Sequence, residues 1–106
     1  MNVYWFQDSK TGHLKQVQAL LDQLKKEVEL SITTINDSNH ESFLDMLLSK
    51  NQFDGPSILI GAGHDVYSKI LQAKKYLNKH TSKDIFSVAV LRPSYKLNSF
   101  DLIVAP

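Results

Sequence analysis

Three short loops of this chain carry side chains that could do chemistry, and each loop follows an apolar run. The first loop holds Asp8, Lys10, Gly12 and His13, and Gln16 comes about one helical turn after His13. A histidine can take up a proton near neutral pH, and a neighbouring carboxylate can orient its ring. We therefore predict that His13 is a general base and that Asp8 is its catalytic partner. The other three residues are predicted substrate contacts.

An alternative interpretation gives the first loop a purely structural role. Ser9 or Thr11 would then cap the following helix, and Asp8 would accept hydrogen bonds from backbone amides of the loop. The sequence leaves both interpretations open, since the same residue types serve either purpose.

The second loop, Gly61-Ala62-Gly63-His64, joins a predicted strand to a predicted helix. Glycines there let backbone amides approach a ligand, and the start of a helix attracts anions. We therefore predict that Gly61, Gly63 and His64 contact an anionic group. Any tight turn of this kind also favours glycine, and the loop lacks the third glycine of a dinucleotide-binding fingerprint. A metal would need a third ligand beside His13 and His64, and we predict no metal site.

The third loop contains Arg92, which is the only arginine beside eleven lysines, followed by Pro93 and Ser94. A guanidinium group can contact a phosphate or a carboxylate through two parallel hydrogen bonds. We predict that Arg92 and Ser94 bind the same anionic group as the second loop. In the alternative interpretation, Arg92 pairs with Asp101 or Asp8 and only ties loops together.

The apolar pattern predicts the elements that position these loops. Short runs indicate buried strands, and spacings of three and four residues indicate amphipathic helices. The predicted strands are 3–6, 30–35, 57–60, 85–91 and 102–105, and the predicted helices are 14–28, 38–48 and 66–79. This alternation predicts an α/β fold: a Rossmann-like open parallel sheet of about five strands with helices on both faces. All three loops would then lie at the carboxyl edge, where such sheets bind ligands.

The composition of the chain argues against a nucleic-acid-binding protein and against a membrane-spanning protein. The 106 residues are 42% hydrophobic and 22% charged, and we expect residues 1–106 to form a single domain. The net charge of +1 gives no continuous basic surface for nucleic acid. Cysteine is absent and no apolar run approaches the ~20 residues of a membrane span, so we expect no transmembrane segment and a cytoplasmic protein. An uncovered sheet edge would allow self-association.

The three loops resemble motifs of the mitochondrial-fission ELM-like family, whose bacterial members are mostly uncharacterised. The first loop is similar to its D-x-[KR]-x-G-H-x-x-Q segment, and the second is similar to its G-A-G-[HR] segment. Arg92-Pro93-Ser94 resembles its R-P-S segment, and Phe100-Asp101-Leu102 begins a segment similar to its F-D-L-x-x-x-P. The resemblance covers almost the whole chain.

The resemblance implies a protein like the GT-B glycosyltransferases, in which two Rossmann-like domains face each other across a cleft. This chain would be the N-terminal domain, on the acceptor side, and its partner would be the C-terminal domain. A nucleotide sugar would be held by that second domain, and this domain would need no cofactor of its own. The chain ends directly after its last predicted strand, and we expect it to be inactive alone.

Two other functions remain open from the sequence. The chain could be a non-catalytic scaffold for a protein partner, and replacing His13 or Arg92 with alanine would then leave function intact. It could also be a small-anion-binding module, which would require the native gene to stop near Pro106.

Overall fold

The computed structural model describes residues 1–36, 45, 57–80, 84–91 and 99–104. In chain order the elements are β1 (Asn2–Phe6), α1 (Thr11–Lys25), β2 (Ser31–Ile35), β3 (Ser57–Gly61), α2 (His64–His80), β4 (Ile85–Val90) and β5 (Leu102–Val104). These strands agree closely with the predicted ones. The helix predicted over 38–48 lies outside the described residues, apart from helical Asp45.

The end of the first helix differs from the prediction. We predicted a helix as far as Val28, but α1 ends at Lys25 and a hydrogen-bonded turn follows. The turn carries Val28 away from the sheet, and its side chain is exposed. Apolar spacing had included Val28 because the pattern continues past the residue at which the backbone leaves the helix.

All five strands are parallel and form one open sheet in the order β2-β1-β3-β4-β5. The predicted α/β fold, with helices on both faces of a parallel sheet, is confirmed. The chain moves outward from β1 to β2 and then returns to the other side of β1 with β3. The strand order therefore reverses between β1 and β3, and open α/β sheets bind ligands outside the carboxyl ends of the strands at such a point.

Alternate side chains of the central strands pack against helices on opposite faces. The face covered by α1 buries Val3, Trp5, Val17, Leu21, Ile60, Val88 and Val90. The face covered by α2 buries Tyr4, Phe6, Leu59, Ile70, Ala73, Leu77 and Ala89. Because both faces are covered, the sequences of β1 and β3 contain continuous apolar runs, at residues 3–6 and 58–60, instead of alternating ones. No helix in the described ranges is long and apolar enough to cross a membrane.

A polar cluster ties the start of β5 to the middle of β4. Asp101 Oδ2 accepts hydrogen bonds from the backbone N–H of Ser87, at 2.7 Å, and from the Ser87 hydroxyl, at 3.0 Å. Lys74 Nζ of α2 donates to the same oxygen at 2.5 Å. Burial acts to raise the pKa of Asp101, but the hydrogen bonds from Lys74 and Ser87 and the charge of Lys74 outweigh it, so the pKa is lowered from 3.8.

Replacing Asp101 with asparagine should destabilise the fold at neutral pH and much less in acid. We expect a loss of about 1–2 kcal/mol at pH 7, because the charge-assisted hydrogen bonds are weakened. A lowered folded-state pKa stabilises the fold above the unfolded-state pKa, and this contribution disappears as pH falls through the lowered value. Urea unfolding at pH 7 and near pH 2.5 measures both terms. An equal difference at the two pH values would contradict the role of the charge.

Candidate functional site

The Asp8 and His13 side chains form a pair at the carboxyl end of β1. Asp8 lies in the loop after the strand, and His13 lies in the first turn of α1. The distance between His13 Nδ1 and Asp8 Oδ2 is 2.6 Å, with 23% of the histidine side chain and 14% of the aspartate side chain exposed. When Nδ1 donates to Asp8, the neutral ring leaves Nε2 to accept a proton. The pair therefore has the groups of a carboxylate-oriented base.

The second oxygen of Asp8 holds the loop itself. Asp8 Oδ1 accepts the backbone N–H of Lys10 at 3.0 Å. Lys10 is the N-cap residue of α1, in an extended conformation, and no side chain caps the helix there. The structure thus shows Asp8 binding a loop amide and His13 together, whereas Ser9 and Thr11 do not cap the helix.

Gly63 brings the second loop against this pair. Its φ is +114°, and a Cβ built there would lie 2.5 Å from Asp8 Oδ2 and 2.8 Å from His13 Nδ1. The two loops are neighbours because β1 pairs with β3, with Phe6 opposite Gly61. The Gly63 carbonyl accepts the N–H groups of Val66 and Tyr67 and so starts α2. A side chain at residue 63 would therefore displace one or both members of the pair.

The other glycines of the predicted site have different surroundings. A Cβ at Gly61 would clash with Val66 Cγ1 and would lie 2.7 Å from the carbonyl oxygen of Phe6, so Gly61 permits close packing of α2 on the sheet. Nothing lies within 4 Å of a Cβ at Gly12. Gln16 is exposed on α1, about one turn beyond His13.

Tyr67 is a residue of this region that sequence reasoning missed. Its hydroxyl lies 2.6 Å from the carbonyl oxygen of Val90 and 2.8 Å from that of Leu91, at the end of β4. Burial raises the pKa of Tyr67, a backbone hydrogen bond from Gly63 lowers it, and the charge of Asp8 raises it further. Tyr67 thus connects the first turn of α2 to the two residues that precede the third loop. The available signal was a tyrosine in the first turn of a helix that follows a glycine loop.

The rings around Tyr67 fix its position. The His64 ring meets it edge-on at 6.2 Å between centroids, and Phe100 does so at 5.5 Å. Edge-to-face contacts at these distances are favourable for aromatic rings. His64 is otherwise exposed at the start of α2. His13 and His64 thus lie in the first turns of α1 and α2, the helices that follow the neighbouring strands β1 and β3.

The structure describes Leu91, the residue directly before the third loop. Leu91 has a φ of +74°, and its N–H donates to the carbonyl oxygen of Val104 at 2.7 Å. Arg92 and Ser94 lie outside the described residues, so their role as anion contacts stays a prediction. Of the two carboxylates considered as structural partners for Arg92, Asp101 is bound by Lys74 and Asp8 by His13.

Metal ligands do not cluster in the described part of the chain, where no group of three or more histidine, cysteine, aspartate or glutamate side chains could hold an ion.

Comparison with known proteins assigns the chain to a family. The family model described as mitochondrial fission ELM1 matches residues 11–106. The chain belongs to this family. The match includes Gly12, His13 and Gln16 and the second and third loops, whereas Asp8 and Lys10 precede its first residue. No curated protein and no solved structure matches this ELM1-family chain.

Proposed function

We infer that this ELM1-family chain is the acceptor-side domain of a GT-B-like glycosyltransferase, with His13 as the general base. The observation that carries the proposal is the Asp8–His13 pair, which lies against Gly63 where the strand order reverses. A general base must be oriented and partly exposed, and the pair meets both requirements.

The proposed reaction is transfer of a sugar to an acceptor hydroxyl. His13 Nε2 takes the hydroxyl proton, while Asp8 holds the Nδ1–H and stabilises the imidazolium that forms. The acceptor oxygen then bonds to the anomeric carbon of the donor. The bond from that carbon to the nucleoside diphosphate breaks, and the diphosphate leaves with the electron pair. The donor would be held by a second domain across the cleft.

The remaining predicted residues would bind the substrates around this centre. Lys10 and Gln16 are exposed next to the pair, on the loop and on α1. Arg92 and Ser94 would follow β4, the strand on the other side of β3. Cationic and amide side chains of this kind suit an anionic group of the substrate.

A thermal-shift and turnover screen of nucleotide sugars tests the proposal. It uses the full-length protein, with UDP-, GDP- and ADP-sugars at about 100 times the dissociation constant to be detected. A bound donor should then stabilise the fold by about 2.7 kcal/mol and raise Tm by several degrees. Release of nucleoside diphosphate should follow when an acceptor is added. If none of the donors binds or is consumed, the proposed function is wrong.

A further inference from the structure

A cavity of about 410 Å³ opens beside Asp8, between the loop after β1 and the first turns of α2. A volume of this size can hold a small ligand. Its described lining is mostly polar and comprises Gln7, Asp8, Ser9, Asn36, Asp65, Val66 and Lys69. Asp8 lines the cavity and also pairs with His13, so a ligand in the cavity would lie next to the Asp8–His13 pair.

The charges of the described lining residues disfavour an anion. Asp8 and Asp65 contribute two carboxylates, whereas Lys69 contributes one ammonium group. Among these described residues, an anionic ligand would meet one more negative than positive charge. A neutral ligand with several hydroxyl groups avoids this cost, because each hydroxyl can donate to a carboxylate or accept from an amide or an ammonium.

Several polar groups of the lining are available for such a ligand. Within the described ranges, no hydrogen bond to another residue engages the side-chain amide of Gln7, the hydroxyl of Ser9 or the carboxylate of Asp65. Together they offer donors and acceptors from two sides of the cavity, the first loop and α2. A ring that carries hydroxyl groups on several sides can engage them simultaneously.

We propose that this cavity binds an uncharged, hydroxyl-rich ligand of about one sugar ring. In the context of the proposed function, on which this inference rests, the ligand is the sugar portion of the acceptor. Binding at the cavity is measurable without turnover. A negative binding result therefore overturns this inference alone, and a negative donor screen overturns the proposed function.

The test is a titration of the ¹⁵N-labelled protein followed by amide chemical shifts. The probes are glucose, galactose, mannose and N-acetylglucosamine, each to about 50 mM, and inorganic phosphate in a separate series. For a ligand of this size we expect a dissociation constant on the order of 1–10 mM for at least one sugar. The shifts should concentrate at Gln7, Ser9, Asp65 and Lys69.

Asp65→Ala should weaken sugar binding at least tenfold, because it removes a charged acceptor. Asp84→Ala is the matched control, since Asp84 is exposed directly before β4, at the opposite edge of the sheet. It should leave binding unchanged. Ser9→Ala is a second cavity variant and should also weaken sugar binding. Far-ultraviolet circular dichroism of all three variants shows whether any loss of binding comes from loss of the fold.

Three outcomes would overturn the inference. The first is that none of the four sugars shifts the amide signals. The second is that the wild type, Asp65→Ala and Ser9→Ala bind sugar equally well. The third is that phosphate binds more tightly than any sugar at the same amides. Shifts at the cavity that weaken in both cavity variants, but not in Asp84→Ala, support it.

Discussion

Replacing His13 with glutamine is expected to lower the turnover number of the whole protein by about 10²- to 10⁴-fold. Glutamine can still hydrogen-bond to Asp8, which lies 2.6 Å from His13 Nδ1, but it cannot accept a proton at neutral pH. The proton of the acceptor hydroxyl then has no base to receive it. The Michaelis constant for the donor should change little, because the proposed donor site lies on another domain. Initial rates of nucleoside diphosphate release measure both quantities.

Lys15→Gln is the matched control for this prediction. Lys15 is exposed on α1, two residues beyond His13, and the same residue type is introduced. Its rate should stay close to that of the wild type. A rate for His13→Gln that equals the control rate would show that His13 is not the base and would favour a binding or scaffolding role for the first loop.

Replacing Gly63 with alanine is expected to lower the free energy of unfolding by about 2–4 kcal/mol and to separate the Asp8 and His13 side chains. Alanine strains at a φ of +114°, and its Cβ would lie 2.5 Å from Asp8 Oδ2 and 2.8 Å from His13 Nδ1. The loop, the aspartate or the histidine must then move. Tm should fall by roughly 10–20 °C in thermal unfolding of the variant.

Gly12→Ala is the matched control, because the same substitution in the first turn of α1 should not lower stability. Gly12 lies in the first turn of α1, no atom would lie within 4 Å of a Cβ at this residue, and alanine favours helix by about 1 kcal/mol over glycine. This variant should be equally stable or more stable than the wild type. If both variants were destabilised equally, the specific contacts of Gly63 would not explain the effect.

Much of the fold could be predicted from local patterns in the sequence. The apolar runs ending at Phe6 and Ile60 are too short for helices and lack polar alternation, so they indicate strands buried on both faces. Helical spacing from Val66 to Leu77 predicts the core of α2, and the structure places this helix over His64–His80. These local patterns are informative because the buried face of a helix or strand requires apolar residues at a characteristic spacing.

The partners of individual polar groups could not be predicted in the same way. Sequence reasoning named neither Lys74 nor Ser87 as a partner of Asp101, and the structure places both within hydrogen-bond distance of its carboxylate. Tyr67 lies directly after Val66 and three residues before Ile70, and this spacing indicates only that its side chain faces the sheet. Its hydroxyl reaches the end of β4 because α2 crosses from β3 to β4. These contacts depend on which elements become neighbours, which residue types alone do not specify.

The sequence by itself determined the parallel α/β class and the presence of reactive side chains directly after the strands, because periodicity reports burial and strand ends locate loops. Tertiary structure alone decided the strand order. By inserting β3 beside β1, it set Gly63 against Asp8 and His13 and opened the cavity between the first loop and α2. The physical reason is that strand pairing and helix docking depend on surfaces distant in sequence, and their complementarity is expressed only when the whole sheet has formed.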